Sequence, residues 1–251
     1  MSGRVHAVIV TGAAGGIGAA SCARLRREGY WVVGTDRVQA AGGECDAYAS
    51  IDLEAVGESD AAATDAASTL RRLADRRPIH GLVHSAALQL VGKIEFLSVS
   101  DLTRTLAVNV VAPFALTREL ATDLRAAQGS VVLVTSIHSR LTKPGFALYA
   151  TSKSAMSGLM RSLALELAPV VRVNAVSPAA TDTAMLRDGF GANWGEAARR
   201  KLDEVHPLHR IARPDEVADT IAYLLSSQAS FVTATELEVG GGIHACLHDP
   251  A

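Results

Sequence analysis

Unbroken apolar runs of strand length recur along this chain, and most neighbours are separated by enough sequence for one helix. The runs fall at residues 7–10, 31–34, 81–83, 130–135, 171–176 and 236–239, with a weaker one at 48–51. Most are continuous rather than alternating, the pattern of strands buried on both faces. Helix-like segments occupy 17–28, 61–74, 99–125, 149–167 and 214–226. Strands that alternate with helices build βαβ units and a parallel sheet, and right-handed crossovers put helices on both of its faces. No internal repeat or change of composition marks a linker, so residues 1–251 read as one α/β domain. Pro214, Asp215 and Glu216 mark a helix start, with proline in the first turn and acids at the positive end of the dipole. Segment 184–209 is the least regular and holds Gly189, Gly191, Gly195 and Pro207. It is either a mobile lid over a substrate site or an ordinary surface excursion.

Composition narrows the partners. Hydrophobic residues are 49% and charged residues 20%, which excludes a disordered chain. Aromatics are only 4%, so the core is built from Ala, Val, Leu and Ile. A net charge of −2 leaves no electrostatic footprint for nucleic acid or an anionic membrane. No apolar stretch approaches the ~18 residues of a membrane helix, and residues 1–7, with Arg4 and His6, lack the apolar region of a signal peptide. Cys22, Cys45 and Cys246 are scattered, with no CxxC and no Cys/His cluster. That suggests neither a disulfide framework nor a metal site, and the reducing cytoplasm is the simplest compartment.

Thr11-Gly12-Ala13-Ala14-Gly15-Gly16-Ile17-Gly18 joins the first strand to the first helix. Glycines let the backbone turn tightly and approach a pyrophosphate, and the helix start offers free N–H groups to it. No Gly-Lys-Ser/Thr follows, which disfavours a triphosphate-binding loop. The blander alternative is a tight turn without a ligand. Asp36 lies 18 residues beyond Gly18, at the end of the second strand. A carboxylate there accepts both hydroxyl hydrogens of an adenosine ribose and repels a 2′-phosphate, which favours NAD over NADP. Arg37 pulls the other way, since a guanidinium binds that phosphate. No basic residue sits inside the turn, so NAD stays ahead. Asp36 could also be a solvated loop acid. Asp52, after the weak third strand, is either an adenine contact or a plain loop carboxylate.

Tyr149 and Lys153 stand at i and i+4, one turn apart on one helix face. An ammonium beside a phenol favours the phenolate, so this spacing predicts a tyrosine pKa below the ordinary value of about 10. Such a phenol exchanges protons with an alcohol or carbonyl near neutral pH. Ser136 follows the strand at 130–135, at the edge where parallel sheets bind ligands, and precedes Tyr149 by 13 residues. Asn109 stands mid-helix, where its propensity is poor, and a buried amide there could hold a water next to the lysine.

Together these residues resemble the short-chain dehydrogenase/reductase family, over essentially the whole chain from Thr11 to Gly242. The resemblance rests on the Gly-rich turn, Asp36, Asn109 within Ala107–Val110, Ser136, the Tyr149/Lys153 pair, Ser177-Pro178 and the closing Phe231–Gly242 segment. It implies a doubly wound Rossmann-like fold with a seven-stranded parallel sheet and nicotinamide chemistry. By that resemblance Tyr149 is the general acid/base, and Lys153 lowers its pKa and binds the nicotinamide ribose. Ser136 holds the substrate oxygen, and Asn109 supports a proton relay through water. Thr183 matches a threonine near the carboxamide, and Ile17 a residue under the phosphates. The implied cofactor contacts are thus Gly12, Gly15, Gly16, Ile17, Gly18, Asp36, Arg37, Asp52, Ala86, Tyr149, Lys153, Pro178 and Thr183.

Two departures bear on geometry. The family's Asn-Asn-Ala-Gly after the fourth strand is His84-Ser85-Ala86-Ala87 here, and its Pro-Gly after the sixth is Pro178-Ala179. Ala86 keeps a small residue beside the cofactor, and Ala87 in place of glycine affects pocket width. His138 either enters the substrate pocket or lies outside it. Leu102, Leu106, Val110 and Phe114 on one helix, and Met156, Leu159, Met160, Leu163 and Leu167 on the next, read as core faces. The resemblance adds that parts of these helices pack on another subunit, commonly in a tetramer, with a dimer as the alternative. The tail 243–251 then either reaches a neighbour or frays. The expected activity is NAD-dependent oxidation of an alcohol or reduction of a carbonyl. The alternatives are an NADP-dependent reductase of 3-oxoacyl thioesters and a catalytically silent NAD-binding regulator. Sugars, polyols, cyclic alcohols and acyl thioesters all remain open as substrates.

Overall fold

The computed structural model of the chain describes residues 5–39 and 43–247. Its seven strands are β1 (Ala7–Thr11), β2 (Trp31–Asp36), β3 (Ala47–Ser50), β4 (Ile79–His84), β5 (Ser130–Val134), β6 (Arg172–Pro178) and β7 (Glu236–Val239). They form one sheet in the order β3-β2-β1-β4-β5-β6-β7, every neighbouring pair parallel. The helices are α1 (Gly16–Arg27), α2 (Leu53–Glu58), α3 (Asp60–Leu73), α4 (Val99–Leu106), α5 (Ala112–Ala126), α6 (Ala147–Leu167), α7 (Ala184–Phe190), α8 (Glu196–Val205) and α9 (Pro214–Leu225).

Side-chain alternation splits the core in two. Ala7 and Ile9 of β1 join a cluster with Leu70, Leu116, Leu120, Met156 and Met160, from α3, α5 and α6. Val8 and Val10 join Cys22, Leu25, Val217, Ile221 and Leu225, from α1 and α9. Both faces of the central strands are therefore dry, which is why their sequence runs are unbroken. Each fully buried Leu or Ile contributes roughly 1.5–3 kcal/mol. Cys22 and Cys45 are free thiols with their sulfurs 3.4 Å apart.

Three expectations are corrected. The segment read as one regular helix over 99–125 is α4, a π-helical turn at Ala107–Val111, and α5. A π turn adds a residue and rotates the face that follows it. The buried line is therefore Thr105, Ala107, Asn109, Ala112, Leu116, Leu120 and Leu124, while Phe114 of the expected core stripe is 43% exposed. On α6 the core face stands, with Met156, Met160, Leu163 and Leu167 buried. Segment 184–209 is not irregular: α7 and α8 fill most of it, with Thr183 capping α7 through an Oγ1 that accepts from Leu186 N at 3.3 Å. The short helix α2 was hidden by its length.

Among the described residues no helix is long and apolar enough to cross a membrane, and no group of His, Cys, Asp and Glu is arranged to hold a metal. Arg4 and tail residues 248–251 lie outside the described residues.

Candidate active site

The strand order reverses between β1 and β4, and the crevice at their carboxyl ends is where such sheets take ligands. The Gly-rich turn lies there, held to β4 by Thr11, whose Oγ1 accepts from Ser85 N at 3.2 Å and Ala86 N at 3.3 Å. Gly12 has φ of +69°, and a Cβ on it would sit 2.6 Å from Ala86 N. A Cβ on Gly18 would fall 1.9 Å from Gly12 O. Gly15 caps α1 with no side chain, so the first N–H groups of that helix remain open to an anion. The turn thus fits a dinucleotide pyrophosphate. Beside it the Asp36 carboxylate accepts from Ala14 N at 3.2 Å and Arg37 N at 2.7 Å, which holds it across the turn. Arg37 is exposed. Asp52 caps α2, accepting from Glu54 N at 2.9 Å, the geometry of a loop carboxylate.

One cavity of about 590 Å³ runs from this turn into the body of the domain. Gly12, Gly15, Gly16, Ile17, Gly18, Ser136, Tyr149, Lys153, Pro178 and Thr183 all line it. Asp36, Arg37, Asp52, Ala86 and Asn109 do not. The family departures touch it at Ala87 and Ala179, both on its wall.

The reacting groups come from β5 and α6. Ser136 starts the turn after β5, its Oγ accepting from His138 N at 3.2 Å, and it hydrogen-bonds the Tyr149 hydroxyl. Lys153 is 1% exposed, with Nζ donating to Val134 O at 2.8 Å and lying 5.5 Å from the Tyr149 ring centre. The expected depression of the tyrosine pKa is reversed here. Burial pushes the phenol up to about 12, against a smaller lowering by the Ser136 hydrogen bond. Burial also brings Lys153 down to about 7. Desolvation disfavours both charged forms, and the lysine's own hydrogen bonds point to a carbonyl and to Met156 Sδ rather than to the phenol.

Asn109 is fully buried, and its amide is committed: Oδ1 accepts from Leu88 N at 2.7 Å, and Nδ2 donates to Leu88 O and Ser152 Oγ, both at 2.9 Å. With both donors used, the side chain braces the segment after β4 and ties it to α6 through Ser152. His138 does enter the cavity, stacked on Phe146 at 4.5 Å and edge-on to Tyr149 at 5.7 Å. His206 was missed. It is 2% exposed on the cavity wall, with Nδ1 2.5 Å from Leu202 O and no partner for Nε2 among the described residues. A carbonyl only accepts, so Nδ1 carries the proton and Nε2 of the neutral ring is an acceptor. Nothing in the local sequence signals this, because α8 brings it to the wall.

Gly18→Ala tests the cradle. The added Cβ meets backbone rather than a movable side chain, so the turn must deform at a cost of roughly 1–3 kcal/mol. The expected result is a lower melting temperature together with NADH binding weakened beyond about tenfold, read by NADH fluorescence titration. Wild-type affinity would show that the turn takes no phosphate.

A family model described as Enoyl-(Acyl carrier protein) reductase matches residues 12–244. The 2,3-dihydro-2,3-dihydroxybenzoate dehydrogenase of Escherichia coli is 36% identical over 94% of this chain and 95% of its own. The aldohexose dehydrogenase of Thermoplasma acidophilum superposes with a TM-score of 0.91 at 29% identity, covering 99% of this chain and 97% of that one. The 3-ketoacyl-(acyl-carrier-protein) reductase of Brucella melitensis, solved with NADH, superposes with a TM-score of 0.82 at 26% identity, covering 95% and 98%. The crevice, the sheet order and these likenesses agree, and the chain belongs to the short-chain dehydrogenase/reductase family of oxidoreductases.

Proposed function

We propose that this protein interconverts an alcohol and a ketone or aldehyde with NAD(H), Tyr149 exchanging the proton of the substrate oxygen. The carrying observation is the single cavity whose wall includes both the phosphate cradle and the Ser136, Tyr149 and Lys153 side chains. A nicotinamide bound there supplies or accepts the hydride. Ser136 Oγ holds the substrate oxygen beside the phenol, and Tyr149 Oη delivers the proton to it or removes it. Lys153 would hold the nicotinamide ribose and, in its protonated form, would add positive charge next to the ring. Residues 184–209 act as a lid, since Met185, Leu186, Phe190, Leu202 and Val205 all face the cavity. Subunits associate through the long α4–α5 helix, where Val99, Val111 and Phe114 are exposed.

A panel of alcohols, ketones, sugars and hydroxyacyl thioesters, followed by NADH absorbance in both directions, tests the reading. Silence across the panel with both NAD and NADP, while NAD binds tightly, sinks it.

Asp36 carries the choice of cofactor. Its carboxylate suits a ribose diol and repels a 2′-phosphate. NAD should bind at least about tenfold more tightly than NADP, and Asp36→Ser should remove most of that gap. Fluorescence titration of the reduced cofactors reads both numbers. Tighter NADP binding to the wild type would hand the role to Arg37.

A further inference from the structure

We propose that the substrate carries a carboxylate at the far end of an apolar body, and that Lys143 anchors it, a reading that rests on the alcohol–carbonyl chemistry above. The cavity wall includes no aspartate, glutamate or arginine among the described residues, and its lysines are Lys143 and Lys153. Lys153 is already committed beside Tyr149. Lys143 is not: no carboxylate among the described residues pairs with it, and its Nζ lies 4.6 Å from the Phe146 ring centre and 5.3 Å from that of Phe190. Two aromatic faces attract the ammonium but give it no hydrogen-bond acceptor. The residue keeps an exposed face to solvent, and its partly buried side chain holds its pKa below the ordinary value.

The geometry sets the shape of the ligand. Phe146 lies under Lys143 and edge-on to Tyr149, with ring centres 6.4 Å apart. The anchor and the acid/base thus flank the same aromatic side chain, and a compound with its carbonyl and carboxylate on one six-membered ring is the probe that asks whether one substrate reaches both. His206 Nε2, a buried acceptor without a partner among the described residues, suits a second hydroxyl on the same body. One lysine ammonium with no acid beside it among the described residues, on a wall that also holds Gln89, Thr142 and two histidines, fits a carboxylate.

The test uses 3-oxocyclohexanecarboxylate, its carboxamide and cyclohexanone with the full chain and NADH. Calorimetric titration of cyclohexanecarboxylate and cyclohexanecarboxamide into the NADH-saturated protein supplies a readout without turnover. The acid should be preferred over the amide by about tenfold in KM and in binding. That preference should collapse toward unity in Lys143→Met and persist in Lys143→Arg. An acid and amide that bind alike, a preference that survives in Lys143→Met, or no binding of either compound overturns the proposal. Turnover of cyclohexanone without acid preference removes the anchor and leaves the oxidoreductase reading standing. Acid-selective binding with no turnover of any ketone does the reverse.

Discussion

Replacing Tyr149 by phenylalanine lowers kcat in both directions by roughly a thousandfold or more, while NADH still binds with near wild-type affinity. The ring stays packed against Phe146 and His138, so the fold and the cavity wall survive. Only the hydroxyl is lost, and with it the hydrogen bond to Ser136 and the proton donor of the proposed reaction. The pH dependence has a definite sign. With Tyr149 up at about 12, the phenol is protonated at neutral pH and stands ready to donate to a carbonyl. In the proposed reaction, ketone reduction is therefore the direction expected to run near pH 7. Alcohol oxidation needs the phenolate, so its kcat/KM rises with pH through the alkaline range. Rapid-mix kinetics and a kcat/KM profile in each direction provide the check. A Tyr149→Phe protein that turns over within tenfold of the wild type, or an oxidation rate that falls as pH rises, contradicts the assignment.

How much of this was legible in the sequence depends on how locally each feature is determined. The Gly-rich turn was, because glycine at residue 12 answers a backbone demand, a positive φ against Ala86, that other residue types meet badly. The parallel sheet was also legible, since a strand dry on both faces needs an unbroken apolar run. Tyr149 and Lys153 were placed correctly by helical spacing, but their ionisation was not. Spacing shows that two groups are neighbours, and only the surrounding burial shows that desolvation outweighs their attraction. Asn109 was legible only as a buried amide: the π turn that sets it against Leu88 left no trace, because hydrophobic periodicity carries no mark of one inserted residue. Segment 184–209 misled through its glycines, which lie at the ends of α7 and α8 as well as within α7. His206 and Lys143 become interesting only once α6, α7 and α8 are set around one cavity.

The largest effect on stability belongs to His84, where the family pattern has an amide. His84 ends β4 beside Thr11 of β1 and Leu133 of β5, is 1% exposed, and pairs through Nε2 with Thr117 Oγ1 at 2.9 Å. Burial holds its pKa down to about 3, from an ordinary value of 6.5. Below pH 6.5 the unfolded chain takes up a proton that the folded chain refuses. The unfolded state then binds more protons, so stability falls as pH drops and keeps falling until pH reaches about 3. Each pH unit inside that window costs roughly 1.4 kcal/mol, so acidification from 6.5 to 4.5 costs roughly 2–3 kcal/mol, or on the order of 5–10 °C in Tm for a domain of this size. His84→Asn keeps a polar partner for Thr117 and removes the titration. Its absolute Tm at pH 7.5 is a poor guide, because the smaller side chain leaves space in the core. The informative quantity is the drop in Tm between pH 7.5 and 4.5, which should be smaller in the variant by about 5 °C or more. His138, held near 4, and His6, also lowered, titrate in both proteins and cancel from that difference. Equal drops would mean that His84 accepts its proton inside the folded chain. Because β4 ends on the same crevice as the Gly-rich turn, NADH binding should be lost along the same acid limb as the fold, and an early loss of binding with Tm intact would locate the proton elsewhere.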